Sequence, residues 1–159
     1  MPDVELRKLL EGREFIAVAT CDKALRPNSA PKFILKVDGH TVYLVDYTIG
    51  MTWKNITANP RVSLSFMDHA ILMGYQLNGT VTIIQKGRVY EKMCKEMIDK
   101  EIRLTAQHII EEVRGKARHE QFEVGITERF IILKVSVREI VQIGHRGDIT
   151  RMKTGEVTY

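Results

Sequence analysis

The Asp38-Gly39 dipeptide, set between two apolar runs, constrains this chain more than any other feature. A tight hairpin turn needs left-handed backbone at its centre, and Asp-Gly is among the few pairs that supply it cheaply. The flanking stretches, residues 28–37 and 41–45, are therefore read as an antiparallel strand pair. Pro31 lies within the first of them; it has no N–H to give to a ladder, so it is expected at an edge or a bulge. Further strands are expected at 15–20, at 61–66, where Val62, Leu64 and Phe66 alternate with Ser63 and Ser65, and at 71–84. Gly74 and Gly79 inside the last of these each suggest a bulge or a close backbone approach. A final strand is expected from residue 130, running on to Ile143.

Helices are few. Asp3 can cap a short helix through Leu10, and Gly12 sits where such a helix would end. Thr52 can cap another through Ala58, stopped by Pro60, because the residue before a proline avoids helical backbone. The longest helical pattern follows Gly87: Tyr90, Cys94, Met97, Ile98, Ile102, Ala106, Ile109 and Val113 recur at three- and four-residue steps as one apolar stripe. A break near Asp99-Lys100 is compatible with it. Lys92, Lys95, Glu96 and Lys100 read as its wet face. Residues 144–159 are polar and weakly patterned. Parallel βαβ units would need helices between most strands. This order instead indicates a mainly β domain with flanking helices, an antiparallel barrel with the helices packed outside it.

The 159 residues fit one domain, residues 1–159. No apolar run approaches the roughly 20 residues of a membrane span, and the acidic N-terminus does not read as a secretion signal. A cytoplasmic protein is expected, with Cys21 and Cys94 as free thiols. The net charge of +4 comes from lysines and arginines scattered among acids. That weakens a nucleic-acid reading, which needs a basic groove with stacking aromatics, and suits small anionic ligands. The five histidines are dispersed, without the close spacing a metal site uses, so no metal is expected.

The informative junction is Thr48-Ile49-Gly50-Met51-Thr52-Trp53-Lys54-Asn55. A helix start presents unpaired N–H groups and the positive end of the dipole to an anion. Thr48 and Thr52 add hydroxyls, Lys54 a charge and Asn55 an amide, while Gly50 permits close approach. These groups match a phosphate monoester. They equally match a plain capped helix with an exposed lysine, which is the commoner arrangement.

Three stretches in order, 15–20, 28–47 with its hairpin, and 48–66 with Asn59-Pro60-Arg61-Val62 at its turn, resemble the FMN-binding split barrel of the pyridoxamine-phosphate-oxidase-like family. Asn78-Gly79-Thr80-Val81 resembles that family's next strand and residues 130–141 its closing strand, so the similarity covers most of residues 13–143. The resemblance implies an antiparallel split β-barrel and a homodimer with FMN between the subunits. It implies that Thr48, Thr52 and Lys54, with Met51 and Asn55 beside them, hold the FMN phosphate. Val45, Asp46 and Tyr47 would run beside the ribityl chain and ring edge. Ser29, Ala30, Pro31 and Lys32 would lie against the isoalloxazine, with Lys32 as the donor for charge on the reduced ring. Gln76 and Asn78 would donate from the neighbouring strand or the second subunit.

True pyridoxamine-phosphate oxidases carry a Trp- and Arg-rich C-terminal signature. The tail here has Arg146 and Arg151 but no tryptophan, since the only one is Trp53, and that specific activity is not expected. The leading expectation is a flavoprotein oxidoreductase with non-covalent FMN, its electron donor a nicotinamide or a deazaflavin. No catalytic acid, base or nucleophile can be named, which motivates a second reading as an FMN-binding electron carrier or redox sensor. A third keeps the barrel and exchanges FMN for a deazaflavin or haem.

Overall fold

The structure is a computed structural model that describes residues 3–47, 50–113 and 130–154. Along the chain run α1 (Asp3–Leu10), β1 (Phe15–Cys21), β2 (Pro27–Asp38), β3 (Thr41–Asp46), α2 (Met51–Ala58), β4 (Arg61–Asp68), β5 (Met73–Ile84), α3 (Arg88–Val113), β6 (Ile131–Ile143) and β7 (Ile149–Lys153). The strands hydrogen-bond in the order β3-β2-β1-β4-β5-β6-β7, every pairing antiparallel. A further pairing of β3 with β6 closes six of them into a barrel.

The way β6 is shared explains the split form. Its first half pairs with β3, from Asp46↔Ile131 to Thr41↔Ser136. Its second half leaves the barrel and pairs with β7 instead, from Glu139↔Lys153 to Ile143↔Ile149. Meanwhile β5 lies along β6 over almost its whole length. The β2–β3 hairpin turns on Gly39 and His40, one residue later than expected: Asp38 stays in the ladder opposite Thr41, and Gly39, at a φ of 54°, supplies the left-handed backbone at the first turn position. Pro31 pairs with Ala17 of β1, but the β2–β3 ladder ends at Phe33↔Val45. Proline therefore occupies a part of β2 with a strand on one side only.

Two apolar clusters hold the fold. Inward residues of every barrel strand, among them Val18, Leu44, Leu64, Leu77, Leu133 and Ile140, form the first, which Leu6 and Leu10 of α1 and Ile56 of α2 join. The second lies outside the barrel, where Phe33, Leu35, Val45 and Ile132 meet Met93 and Met97 of α3.

Helix α3 departs from expectation in two ways. It runs unbroken for 26 residues through Asp99 and Lys100. Its inner face is Tyr90, Met93, Met97 and Leu104, whereas Ile98, Ile102 and Ile109 are 45%, 63% and 55% exposed. The helix carries two apolar stripes on nearly opposite sides at 3.6 residues per turn, and only one can face the barrel. A charge helps to select it. The register shift between Ile34 and Lys36 in β2 leaves carbonyls for which the Lys100 ammonium is the donor, to Ile34 and, at 3.1 Å, to Leu35. Lys100 is thus half-buried rather than on the wet face, and its burial pulls its pKa below the ordinary lysine value.

Two smaller differences follow from weak local signals. Gly50, not Thr52, caps α2, with no side-chain cap hydrogen bond among the described residues. The tail contributes β7, an edge strand whose side chains are largely exposed, so no apolar alternation marks it.

Candidate functional site

Thr20, Lys32, Asp46, Thr52 and Asn55 are the buried polar residues of the described chain; Thr20, Thr52 and Asn55 lie where α2 packs on β1 and β2, while Lys32, four residues on from Asn28 in β2, pairs with Asp46 of β3. Buried polar groups need partners, and here the partners tie strands to helix. Thr20 and Asn28 sit opposite each other in the β1–β2 ladder. The Asn28 amide donates to the Thr52 hydroxyl at 3.2 Å, and the Asn55 amide donates to the Thr20 hydroxyl at 3.1 Å. One step beyond the Phe33↔Val45 pair, Lys32 Nζ lies 2.8 Å from Asp46 Oδ1. Asn59, which caps the end of α2, donates to Cys21 Sγ at 3.2 Å.

The outer face of the same strands is built differently. Ladder partners run across it in rows: Pro31–Ala17–Ser65–Gln76–Val141 and, beside it, Ser29–Ala19–Ser63–Asn78–Glu139. Small side chains pave β2, β1 and β4, with the amides of β5 following. Where the second row ends, an open groove of about 500 Å³ is lined by Ala19, Cys21, Arg61, Ser63, Asn78, Thr80, Arg138 and Glu139, among others. Glu139 accepts from Asn78 at 2.8 Å and lies 3.4 Å from Arg151. Those contacts, the Asn78 hydrogen bond first, hold its carboxyl below the usual range.

The residues singled out by sequence thus fall into separate settings. Thr52 and Asn55 come together with Asn28 and Thr20 beneath α2, and Lys32 meets Asp46 as a separate buried pair, with Ala30 between Asn28 and Lys32 on β2. Ser29, Pro31, Gln76 and Asn78 come together on the outer face. Val45 points into the cluster beneath α3. Tyr47 also turns to α3, donating to Glu101 at 2.7 Å and tilting against Phe130; burial, then Glu101, pushes its pKa above the ordinary tyrosine value. Met51 and Lys54 are exposed on α2, and Trp53 packs against the barrel core. Thr48 lies outside the described residues. Arg61 and Arg138, which line the groove, were not singled out. Arg61 stood in the recognised Asn-Pro-Arg-Val turn, and Gly79 signalled a bulge without saying which strand would carry the extra residue.

Comparison with known proteins bears on this architecture. The sequence matches the family Pyridoxamine 5'-phosphate oxidase over residues 3–131. The chain belongs to that family. Comparison with curated protein sequences gives no significant match. Among solved structures, the pyridoxamine-phosphate-oxidase-family barrel recurs in a protein from Clostridium acetobutylicum related to general stress protein 26 of B. subtilis. It is 20% identical, with a TM-score of 0.67 over 98% of this chain and 96% of that one. A heme binding protein from Mycobacterium smegmatis is 13% identical, with a TM-score of 0.63 over 95% of this chain and 57% of the other. A pyridoxamine 5'-phosphate oxidase-related, FMN binding protein from Nostoc punctiforme is 10% identical, with a TM-score of 0.53 over 97% and 94%. At these identities the likeness is one of fold. The expected split barrel of the pyridoxamine 5'-phosphate oxidase family is borne out. No helix among the described residues is long and apolar enough to cross a membrane.

Proposed function

We infer that this family member is a flavoprotein that holds FMN non-covalently on the outer face of β2, β1, β4 and β5, between two copies of the chain, and passes electrons through it. The observation that carries the reading is the paving of that face. Across its first three strands the ladder rows present proline, alanine and serine, a smooth surface on which a flat ring and a second copy can both lie. A flavin needs little else from the protein beyond position and polar edges, because the cofactor supplies the redox chemistry.

The residues present fit such a group. Gln76 and Asn78 offer amides beside the small-residue paving. Gly50 at the start of α2 makes no side-chain cap hydrogen bond, so first-turn amides and the exposed Lys54 would serve a phosphate ester. Thr52 and Asn55 would serve by fixing α2 through Asn28 and Thr20. Lys32 would act through the field of its ion pair with Asp46 rather than by contact, since its ammonium is buried in the barrel. Met51 and Thr48 would border the phosphate, Ser29, Ala30 and Pro31 the ring, and Val45, Asp46 and Tyr47 the strand end beside it.

Mixing the purified protein with FMN and recording the visible spectrum tests the reading. A shifted, structured flavin band with saturable quenching of flavin fluorescence is expected. Haemin bound with a Soret shift, in place of FMN, would overturn the cofactor assignment. Steady-state oxidation of NAD(P)H by the loaded protein then separates an oxidoreductase, which turns over, from an electron carrier, which is reduced once.

A further inference from the structure

The bulge in β6 creates a second polar feature that the flavin reading does not use. Pairing of β5 with β6 steps from Asn78↔Glu139 to Gly79↔Val137, so Arg138 is the extra residue of the bulge. Bulges re-aim side chains, and Arg138 is turned outward into the groove, exposed and without a side-chain partner among the described residues. The bulge is fixed from both sides. A Cβ at Gly79 would stand 2.1 Å from the carbonyl oxygen of Ser136, so only glycine lets the strands approach this closely. Thr154 donates its N–H to the Arg138 carbonyl at 2.9 Å and its hydroxyl to the Val137 carbonyl at 2.6 Å.

Across β5, Arg61 opens β4 and is also exposed in the groove, its backbone N–H donating to Asn59. Neighbouring strands are about 4.8 Å apart, so the two arginines flank a floor two strand spacings wide, within reach of one anion between them. The one carboxylate in the lining, Glu139, is engaged by Asn78 and Arg151. Ser63 and Thr80 add hydroxyls. Guanidinium forks are suited to phosphate oxygens, and each such charge-assisted hydrogen bond is about twice as strong as a neutral one.

We propose that this groove is a phosphate-monoester site, with Arg61 and Arg138 taking the ester oxygens from its two sides. The ester comes from one of two sources: a separate phosphorylated small molecule, which leaves the FMN phosphate at the start of α2, or FMN itself, in which case the groove takes the cofactor's phosphate in place of α2 and Lys54.

Calorimetric titration with inorganic phosphate tests the site in the wild-type protein, Arg61→Gln and Arg138→Gln. Both side chains are exposed, so the variants should keep the wild-type circular dichroism and melting temperature. Saturable phosphate binding is expected, weakened about tenfold or more in each variant. Two further arms distinguish the sources. Phosphate binding that persists in FMN-loaded protein, with FMN affinity equal in all three proteins, identifies a separate phosphorylated ligand. Phosphate binding abolished by loading, with affinity for FMN but not riboflavin falling about tenfold in the variants, identifies the cofactor's own ester. The phosphate arm needs no flavin, so it stands or falls independently of FMN binding. Absence of saturable phosphate binding by the wild-type protein, or equal affinity in all three, would overturn the proposal.

Discussion

Lys32 and Asp46 face each other inside the barrel as an ion pair, Nζ 2.8 Å from Oδ1, with side chains only 6% and 1% exposed. Two charges in an apolar interior are costly unless they meet, and removing one strands the other. Lys32→Met is therefore expected to destabilise the protein by about 3–5 kcal/mol, whereas Lys32→Met combined with Asp46→Leu should recover much of that loss. Urea unfolding of the two variants checks it. Equal stability of the single and double variants would show that the pair is not coupled.

The attachment of α2 separates a structural role from a ligand role on one helix. Asn55→Ala removes a buried donor from Thr20 and should cost about 1–3 kcal/mol. Lys54 is exposed, with no side-chain partner among the described residues. Lys54→Gln should leave stability within about 0.5 kcal/mol and weaken FMN binding about tenfold, read by thermal melting and flavin fluorescence.

Much of this architecture was legible in the sequence because it is written locally. The β2–β3 turn, the stop at Pro60 and the bulge at Gly79 each depend on a backbone conformation that few residues permit; the last two stand where the residue type placed them, and the turn falls one residue later, on Gly39 and His40. What was not legible depends on distant partners. Periodicity cannot choose between two apolar stripes on α3, and the choice made by Met93, Met97 and Lys100 rests on a bulge some 60 residues earlier. Lys32 and Thr52 are the residue types a phosphate site would use, but their burial is visible only once β3 and α2 are in place. Strand β7 turns only Met152 toward the core, too little to leave a pattern.

Gly79→Ala tests the bulge itself. With Ser136 O 2.1 Å from the position of the new Cβ, the β5–β6 ladder would have to separate, and a loss of about 3 kcal/mol or more is expected. Gly74→Ala is the control, because its nearest neighbour, Ile143 Cβ, would stand at an ordinary 3.5 Å. Chemical denaturation of the pair should give clearly different midpoints.

Alkaline pH should weaken the fold partly through Tyr47. Its folded pKa lies above the ordinary value of 10, so its contribution is fully present below pH 10 and is lost as the unfolded phenol ionises above it. Tyr47→Phe should cost about 0.5–1.5 kcal/mol near neutrality and show a shallower fall in melting temperature above pH 10. Tyr75 and Tyr90 act in the same direction and Lys100 in the opposite one, but all three are common to both proteins and cancel in the comparison. Parallel slopes would contradict the assignment.

Native mass spectrometry of the protein incubated with FMN tests the central claim most directly, because it reads cofactor and assembly together. The account predicts a dimer carrying one FMN per chain, with the dimer depleted when bulky side chains are placed on the outer face, as in Ser65→Trp. A monomer free of flavin at saturating FMN would contradict it.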